Sequence, residues 1–461
     1  MEQLYWIKHM DPIESLMSPA LSELVKTSIS YPTVWYQQGA FRKIRQEGTK
    51  STIISRNSKT GHTFFTGLIP RILRVAESKG IKVDYVPPSK YLSPPRTDIR
   101  LPEGIELRSF QNNLIEKIFV FERGVLKAPT GTGKTILGLS IIASMGYIDQ
   151  VLWLCHTKDL LYQTAAEAEK FFGKKAIGLI GDGHKEADKF LTIATRQSFK
   201  DLADDLGTSY DVVIVDETHH ISKFKSDYAE ILHKVFAPIR IGLTATLSTD
   251  AEAKLAMEAL IGPLIGEFTI NEGIEQGMMA KIKIKIIKMP KLQRIRDLRK
   301  YPDVYEQGIV RRLDRNRIII DLIKLYNQEK ISCLVIVNQI AHGHLLMSMA
   351  KHCGLNTVFV YSNTDSEMRV ETKQALNGFT IGSVIATTVW KEGINIPELG
   401  VVINAAGGKS EISTLQSIGR GTRKTATKEE LIIVDFFDPS HPFLLDHWGE
   451  RFCLYSDQGW I

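Results

Sequence analysis

Beyond about residue 120 the chain alternates between two kinds of segment. Short, nearly unbroken apolar runs at residues 125–128, 151–155, 176–180, 191–194, 212–216 and 239–244 are separated by longer stretches of helical period. The runs have the length of strands, and apolar residues in the stretches between them return every three or four positions. A strand that is apolar on both faces must be covered on both faces, so the alternation predicts a parallel sheet with helices on each side. The pattern restarts after about residue 280, with runs at 333–337, 357–361, 383–387, 401–405 and 431–435. The first 95 residues read differently. Residues 52–56 and 62–66 look like two strands around the turn Asn57-Ser58-Lys59-Thr60-Gly61, and a helical stretch over 69–79 ends at Gly80. A proline-rich stretch from Val86-Pro87-Pro88 to Pro94-Pro95 follows and reads as a linker with few shared core contacts. The expected architecture is α/β. Two parallel-sheet domains, at 96–275 and 276–461, follow a small α+β accessory domain at 1–95.

The 461 residues are 43% hydrophobic and 24% charged, as in ordinary globular proteins. No apolar run approaches the length of a membrane span, and Met1-Glu2-Gln3-Leu4-Tyr5-Trp6 lacks a signal-peptide pattern. Cys155, Cys333, Cys353 and Cys453 form no C-x-x-C pair, so neither a zinc site nor a disulfide framework is indicated. A cytoplasmic location is the simple expectation. The net charge of +6 is mild but uneven. Residues 1–100 carry 15 Lys/Arg against 8 Asp/Glu, and residues 281–317 carry 13 against 4. Two basic segments point to a polyanion partner.

The stretch Ala128-Pro129-Thr130-Gly131-Thr132-Gly133-Lys134-Thr135 stands between an apolar run and an apolar helical stretch. Gly131 and Gly133 allow a tight turn in which successive N–H groups face phosphate oxygens. Lys134 supplies charge for the β- and γ-phosphates, and the Thr135 hydroxyl can ligate Mg²⁺. The following helix adds its N-terminal partial charge. Residues 212–216 end in Asp216-Glu217-Thr218-His219-His220. Two carboxylates closing a buried strand need a cation or polar partners. Asp216 is read as the Mg²⁺-site carboxylate and Glu217 as the residue that polarises the attacking water. His219 and His220 have no further ligands at useful spacing. Gly242-Leu243-Thr244-Ala245-Thr246-Leu247 carries two hydroxyls after a strand, and is either a plain turn or a link from the γ-phosphate to the neighbouring domain. In Gln416-Ser417-Ile418-Gly419-Arg420-Gly421-Thr422-Arg423 the two arginines share a helix face. Their expected anion is the γ-phosphate, where an arginine finger stabilises transition-state charge.

Taken in order, residues 108–423 resemble the superfamily-two helicases. Arg108-Ser109-Phe110-Gln111 resembles the adenine-recognition element, which makes Arg108 and Gln111 nucleotide contacts. Residues 128–135 resemble motif I, with Thr130, Gly131, Thr132, Gly133, Lys134 and Thr135 at the phosphates. Motifs Ia and Ib are matched by His156-Thr157-Lys158-Asp159-Leu160 and Ala194-Thr195-Arg196-Gln197-Ser198. Asp216-Glu217-Thr218-His219 resembles motif II and Thr244-Ala245-Thr246 motif III. Val335-Ile336-Val337-Asn338 resembles motif IV. Thr387-Thr388-Val389-Trp390-Lys391-Glu392-Gly393 opens motif V, and residues 416–423 resemble motif VI. The resemblance implies two RecA-like domains with ATP and Mg²⁺ between them. It implies catalytic roles for Lys134, Glu217, Gln416, Arg420 and Arg423, and a nucleotide contact at Gly393. His156, Thr157, Thr195, Gln197, Asn338, Thr387 and Thr388 would hold nucleic acid. Within the superfamily the chain is similar to the XPB, RecG and UvsW-like DNA translocases, particularly the branch-migrating phage recombination helicases of the T4 and T5 type.

Two basic features stand outside these motifs. Lys281-Ile282-Lys283-Ile284-Lys285-Ile286 alternates as a strand, either a lysine-guarded edge or a phosphate contact. The arginines that follow, Arg294, Arg296, Arg299, Arg311, Arg312, Arg315 and Arg317, are expected at phosphates or at a DNA junction. Phe64 and Phe65, near Arg56 and Lys59, either stack on bases or form the core of the small domain. The resulting expectation is a monomeric ATP-dependent helicase acting on forked, branched or junction DNA, single strands and duplex arms included. For a viral protein this would be in the host cytoplasm. An RNA helicase and an ATP-gated binding module are the rivals. The former usually carries further C-terminal domains, and the latter would be expected to lack Glu217 or the finger arginines.

Overall fold

The apolar runs pair as two parallel sheets. In the first, the strands lie in the order His184–Lys185, Ile177–Gly181, Leu191–Thr195, Val151–Cys155, Val212–Asp216, Ile239–Thr244, Arg123–Lys127 and Leu264–Glu267. All neighbours are parallel except the short His184–Lys185 pair. The register matters for function. Asp216 lies opposite Leu243, and Thr244 opposite Lys127, so three motif-bearing loops leave the sheet at one end. The computed structural model describes residues 4–38, 43–92, 101–248, 250–387, 396–408, 424–425 and 428–461.

The second sheet runs Lys281–Lys288, Glu430–Phe437, Leu399–Asn404, Ser332–Ile336, Ser383–Ala386 and Thr357–Val360, parallel throughout. One apolar cluster, including Leu334, Val384, Val402 and Ile433, covers one face. Another, including Ile319, Ile323, Val335 and Ile403, covers the other. Each predicted run lies within two residues of an observed strand. Fully buried strands have to be apolar along their whole length, which is why the pattern marked them so well.

The first 85 residues form a sheet in the order Ser55–Asn57, Gly61–Phe65, Glu14–Met17, Trp6–His9 and Asp84–Tyr85, with helices at Pro19–Val25 and Ile69–Ser78. A separate antiparallel ribbon pairs Ser30–Gln38 with Lys43–Ser51. The turn at 57–61 and the helix were expected. The ribbon was not, because it is largely polar and offers no clean apolar alternation.

The domain division differs from expectation. The chain falls into two units, Met1–Ala128 with Gly133–Phe268, and Pro129–Thr132 with Thr269–Ile461. The N-terminal region is thus no separate body. Met17, Leu21, Phe64, Leu68 and Ile72 belong to the same apolar core as Leu152, Val213, Leu232 and Leu260. Phe65 stacks on Phe224 at 5.4 Å and on His233 at 5.1 Å, and Tyr31 stacks on Phe224 at 5.6 Å. Phe64 and Phe65 are therefore core residues, not base-stacking ones. Arg71 Nε donates to Glu258 Oε2 at 3.0 Å, and Arg123 Nη1 to the Pro12 carbonyl at 3.0 Å. At Gly67 an added Cβ would stand 2.2 Å from the Glu258 carbonyl oxygen, so the backbones meet there directly. Prolines at 87–95 describe the connection only. They carry no information about where the apolar side of helix Ile69–Ser78 is buried. A unit of fewer than a hundred residues gains much of its burial by sharing a core.

Phe65→Ala is expected to destabilise the first unit by about 3–5 kcal/mol, read as a lower denaturant midpoint. Removing residues 1–85 should expose this shared core and drive aggregation, measured by light scattering. A truncated chain that stays monodisperse with an unchanged midpoint would contradict the shared core.

Candidate active site

The strand Arg123–Lys127 delivers the chain into the glycine loop, and the helix Lys134–Ser144 leaves it. Gly131 and Gly133 both have φ of 85°, a left-handed conformation that suits glycine. The Thr132 hydroxyl donates to the Pro129 carbonyl at 2.7 Å and folds the loop on itself. Gly133 is the N-cap of the helix and has no side chain to offer its first N–H groups, which keep their capacity for an anion. Lys134 is buried at the start of this helix. Gln111 is buried too, and a Cβ on Gly133 would lie 3.2 Å from its Nε2. Its Oε1 accepts the Arg108 N–H at 2.9 Å, so the amide is held in one orientation by the start of helix Ser109–Phe121. Phe110 stacks on Phe268 at 3.8 Å.

Asp216 ends its strand 4% exposed. Its Oδ1 accepts the Glu217 N–H at 2.9 Å. Glu217 itself has a left-handed φ of 52°, uncommon for a residue with a Cβ, which marks a backbone held in place by its surroundings. Burial pushes the Asp216 carboxyl up to about 7, the neighbouring Glu217 charge adds to this, and the Lys134 ammonium opposes it. Glu217 is also raised by burial, but Lys134, His219 and His220 outweigh that and hold it well below the usual carboxylate range. Two buried carboxylates facing one buried ammonium leave negative charge that Lys134 alone does not balance. Such a donor set fits a divalent cation carrying phosphates. Asp216 lies at this site, and Thr135 follows Lys134 in the first turn of helix Lys134–Ser144. Among the described residues no group of three or more His, Cys, Asp or Glu could hold a metal ion by itself.

The acidic pair is wired to the next motif. His219 Nδ1 stands 3.3 Å from Glu217 Oε2 and 3.1 Å from Thr244 Oγ1. Thr244 Oγ1 donates in turn to the Thr246 carbonyl at 2.7 Å. The Thr218 hydroxyl reaches the Val215 carbonyl at 2.9 Å and the Leu243 carbonyl at 3.1 Å, fastening the two strand ends together. Residues 244–246 are thus part of the site and not a plain turn. The histidines, which sequence spacing left without a role, are its connectors. His220 stacks on His156, ring centroids 3.6 Å apart. That contact escaped sequence reasoning. Its signal is topological: His156 and His220 each follow one of two adjacent strands, Val151–Cys155 and Val212–Asp216.

The expected nucleic-acid residues lie at or just beyond strand ends: Thr195 closes strand Leu191–Thr195 and Gln197 is in the short helix Arg196–Lys200 that follows it. Thr157 caps helix Lys158–Phe172 by accepting the Leu160 N–H at 3.3 Å. Thr195 is buried and donates to Ser198 Oγ at 3.1 Å, whereas Gln197 is exposed. Asn338 is exposed directly beyond strand Ser332–Ile336, and Thr387 is buried with its N–H on the Val360 carbonyl at 3.1 Å. Thr388, Gly393, Gln416, Arg420 and Arg423 lie outside the described residues.

Within the second unit, three side chains anchor the backbone just before residue 409. Arg315 Nη2 donates to the Asn404 carbonyl at 3.4 Å and Tyr305 to that of Ala406 at 2.9 Å. Arg451 Nη1 donates to the carbonyls of Gly407 at 3.1 Å and Gly408 at 2.8 Å. Arg451 also grips the fully buried Asp435 through Nε at 2.7 Å and Nη2 at 3.0 Å. Arg312, equally buried, pairs with Asp438 at 2.6 Å and with Asp314 at 2.9 Å. Arg312 and Arg315 are therefore structural and not at phosphates, correcting the expectation for two of the seven arginines. A run of charges in sequence does not reveal which members have carboxylates and carbonyls waiting in the fold.

Comparison with known proteins agrees with this geometry. The profile of the Type III restriction enzyme res-subunit family matches residues 104–249, and that of the helicase conserved C-terminal domain matches residues 314–425. A putative helicase of Sulfolobus islandicus filamentous virus is 28% identical over 73% of this chain, which spans 65% of that relative's length. The DNA 3'-5' translocase XPB2 of Sulfurisphaera tokodaii is 26% identical over 72% of this chain and 82% of its own. The ATP-dependent DNA helicase uvsW of phage T4 is 24% identical over 77% of this chain and 76% of its own. A solved structure of S. cerevisiae Dbp5 bound to RNA and ADP BeF3 shares the fold, with TM-score 0.56 at 15% identity over 77% of this chain and 88% of that one.

Arg451→Ala would leave Asp435 buried and unpaired, and is expected to cost about 3–5 kcal/mol, measured by chemical denaturation. Glu217→Gln should keep nucleotide affinity and lose turnover, whereas Lys134→Ala should weaken nucleotide binding itself. Titration of a fluorescent nucleotide beside a phosphate-release assay separates the two. Near wild-type turnover in Glu217→Gln would remove that residue from its assigned role.

Proposed function

We propose that this chain, which belongs to the superfamily-two helicases, hydrolyses ATP to move along DNA and to open or branch-migrate forked and junction duplexes. The observation that carries the reading is the connected site in the first unit. There a buried acidic pair is only partly balanced by Lys134 and is linked through His219 to Thr244 and Thr246. An ATP-gated binding module would not need Glu217 held charged beside that chain of contacts.

ATP supplies the phosphoryl group whose transfer drives movement, and Mg²⁺ would be held by Thr135 and Asp216. Gln111, fixed by Arg108, reads the base. Lys134 and the N–H groups of residues 130–135 bind the phosphates. Glu217, kept in its charged form, orients the attacking water and takes up its proton. His219 then senses the state of Glu217 and transmits it to Thr244. Gln416, Arg420 and Arg423 of the second unit stabilise charge on the transferred group, with Gly393 lining the nucleotide. His156, Thr157, Thr195, Gln197, Asn338, Thr387 and Thr388 contact the backbone of the tracked strand, which gives affinity without sequence preference. DNA is favoured over RNA because two relatives matching most of their own length are described as a DNA translocase and a DNA helicase. The anchoring of residues 404–408 by Tyr305, Arg315 and Arg451 would fix the base of the segment that carries the finger arginines. No helix among the described residues is long and apolar enough to cross a membrane, and we place the protein in the cytoplasm as a monomer.

ATPase rates with single strand, duplex, fork, four-way junction and RNA at one salt concentration test the reading. Stimulation is expected to be greatest with branched DNA, and stronger stimulation by RNA would overturn it. Arg420→Ala and Arg423→Ala should each bind nucleotide and lose on the order of 10³-fold or more in rate. Turnover that survives both substitutions would exclude the finger role.

A further inference from the structure

The basic segment 281–317, which begins with the edge strand of the second sheet, divides into two classes of cation. Beyond residue 310, Arg311 pairs with Glu306 at 2.5 Å, and Arg312 with Asp314 and Asp438. From 281 to 300 the situation is the reverse. Nine Lys/Arg stand against one acid, Asp297. All nine are exposed, and among the described residues none forms an ion pair with a carboxylate. Glu430 lies in register beside Lys281 without reaching it. Beyond 310 in this segment only Arg317 is likewise exposed without an ion pair among the described residues, so the unpaired cations are concentrated in 281–300.

The backbone arranges them. Strand Lys281–Lys288 is bonded on one side to Glu430–Phe437 and, among the described residues, has no strand on the other. Ile282 and Ile284 pack against the apolar cluster on one face of the sheet, which puts Lys281, Lys283 and Lys285 on the opposite face. Lys285 lies 5.8 Å from the centre of the Tyr326 ring on that face. Alternate residues of a strand are about 6.6 Å apart. That is close to twice the axial rise of about 3.4 Å per phosphate along one strand of a duplex. Lys288 falls on the other face of the strand, and beyond it Arg294 and Arg296 follow in the chain as exposed residues outside the sheet. Guarding a free sheet edge against other strands explains lysines on the strand, but not arginines beyond it. Residues 281–300 contain no aromatic side chain. Such a surface can meet a phosphate backbone but offers no ring on which an unpaired base could stack.

We infer that the exposed row from Lys281 to Lys300 is a docking track for the backbone of a duplex nucleic-acid arm, additional to the strand path of the helicase motifs. The inference rests on the proposed action on branched DNA. The track holds a duplex arm while the motor engages the single strand, so that affinity for branched substrates exceeds affinity for either part. Its contacts are electrostatic and indifferent to sequence.

The test replaces Lys281, Lys283 and Lys285 together by Gln, and separately Arg294 and Arg296 by Gln, in the full chain. Binding to a fork with a long duplex arm and to a short single strand is measured across a salt series. Each duplex phosphate contact contributes roughly 0.9 to the slope of log affinity against log salt. The triple variant should therefore lose about 2–3 from its slope on the fork, and the double variant about 2. Single-strand affinity and single-strand-stimulated ATPase should stay at wild-type values. The triple Lys→Arg variant, which keeps the charge, should keep the wild-type slope. Unchanged slopes on the fork in both Gln variants overturn the track, and self-association of the triple variant with an unchanged slope assigns its lysines to edge protection alone. Equal losses on fork and single strand also overturn it, since the row would then belong to the general strand path. A wild-type chain whose ATPase ignores DNA is a different failure, one of the helicase reading itself.

Discussion

Two carboxylates at the end of a buried parallel strand set the terms for the first unit. Asp216 and Glu217 cannot both stay charged in an apolar sheet without cations close by. Lys134 meets part of that need from the first turn of its helix, and His219 and His220 meet more from the acidic strand's own continuation. What remains favours a phosphate-bound divalent ion. The parallel register places the glycine loop, the acidic strand end and Thr244 together, because strands 123–127, 239–244 and 212–216 are neighbours in that order. The charge and the topology therefore demand each other. An antiparallel arrangement would send one of these loops to the opposite end.

The second unit uses buried charge for another purpose. Arg312, Arg315 and Arg451 are buried with Asp435, Asp438 and a row of backbone carbonyls as partners. Arg315 also lies over the Phe436 ring at 4.3 Å, and burial lowers its guanidinium to about 10. Groups of this kind add little net stability, since desolvation consumes most of the attraction, but they tolerate few alternative geometries. They fix the chain just before residue 409, ahead in sequence of the arginines proposed as fingers. Precision at that point matters, because transition-state stabilisation falls steeply with small displacements.

Rigidity of the same kind joins the N-terminal region to the motor. A shared core, stacked rings at Phe65 and Phe224 and the Arg71–Glu258 pair leave these 85 residues little freedom relative to the first sheet. Any contact they make with DNA would move with that sheet. Substrate recognition would then be tied to the ATP site through packed side chains, not through a flexible tether.

The sequence by itself determined the two parallel sheets and marked the residues proposed for the ATP site. Buried strands must be apolar throughout, and phosphate chemistry demands glycine, lysine and carboxylates in a fixed local order, so residues 128–135 and 212–217 were legible without a structure. Motif order along the chain likewise sufficed to indicate the superfamily. Only the tertiary structure decided the rest, because the rest depends on residues far apart in sequence. It made Phe64 and Phe65 core, since helix Ile69–Ser78 and the sheet of the first unit supply their walls. It gave His219 a role by bringing Thr244 within 3.1 Å, and His156 by stacking it on His220. It separated the arginines of residues 294–317 into buried anchors and exposed cations, since a guanidinium is structural or available only according to the carboxylates and carbonyls the fold sets beside it.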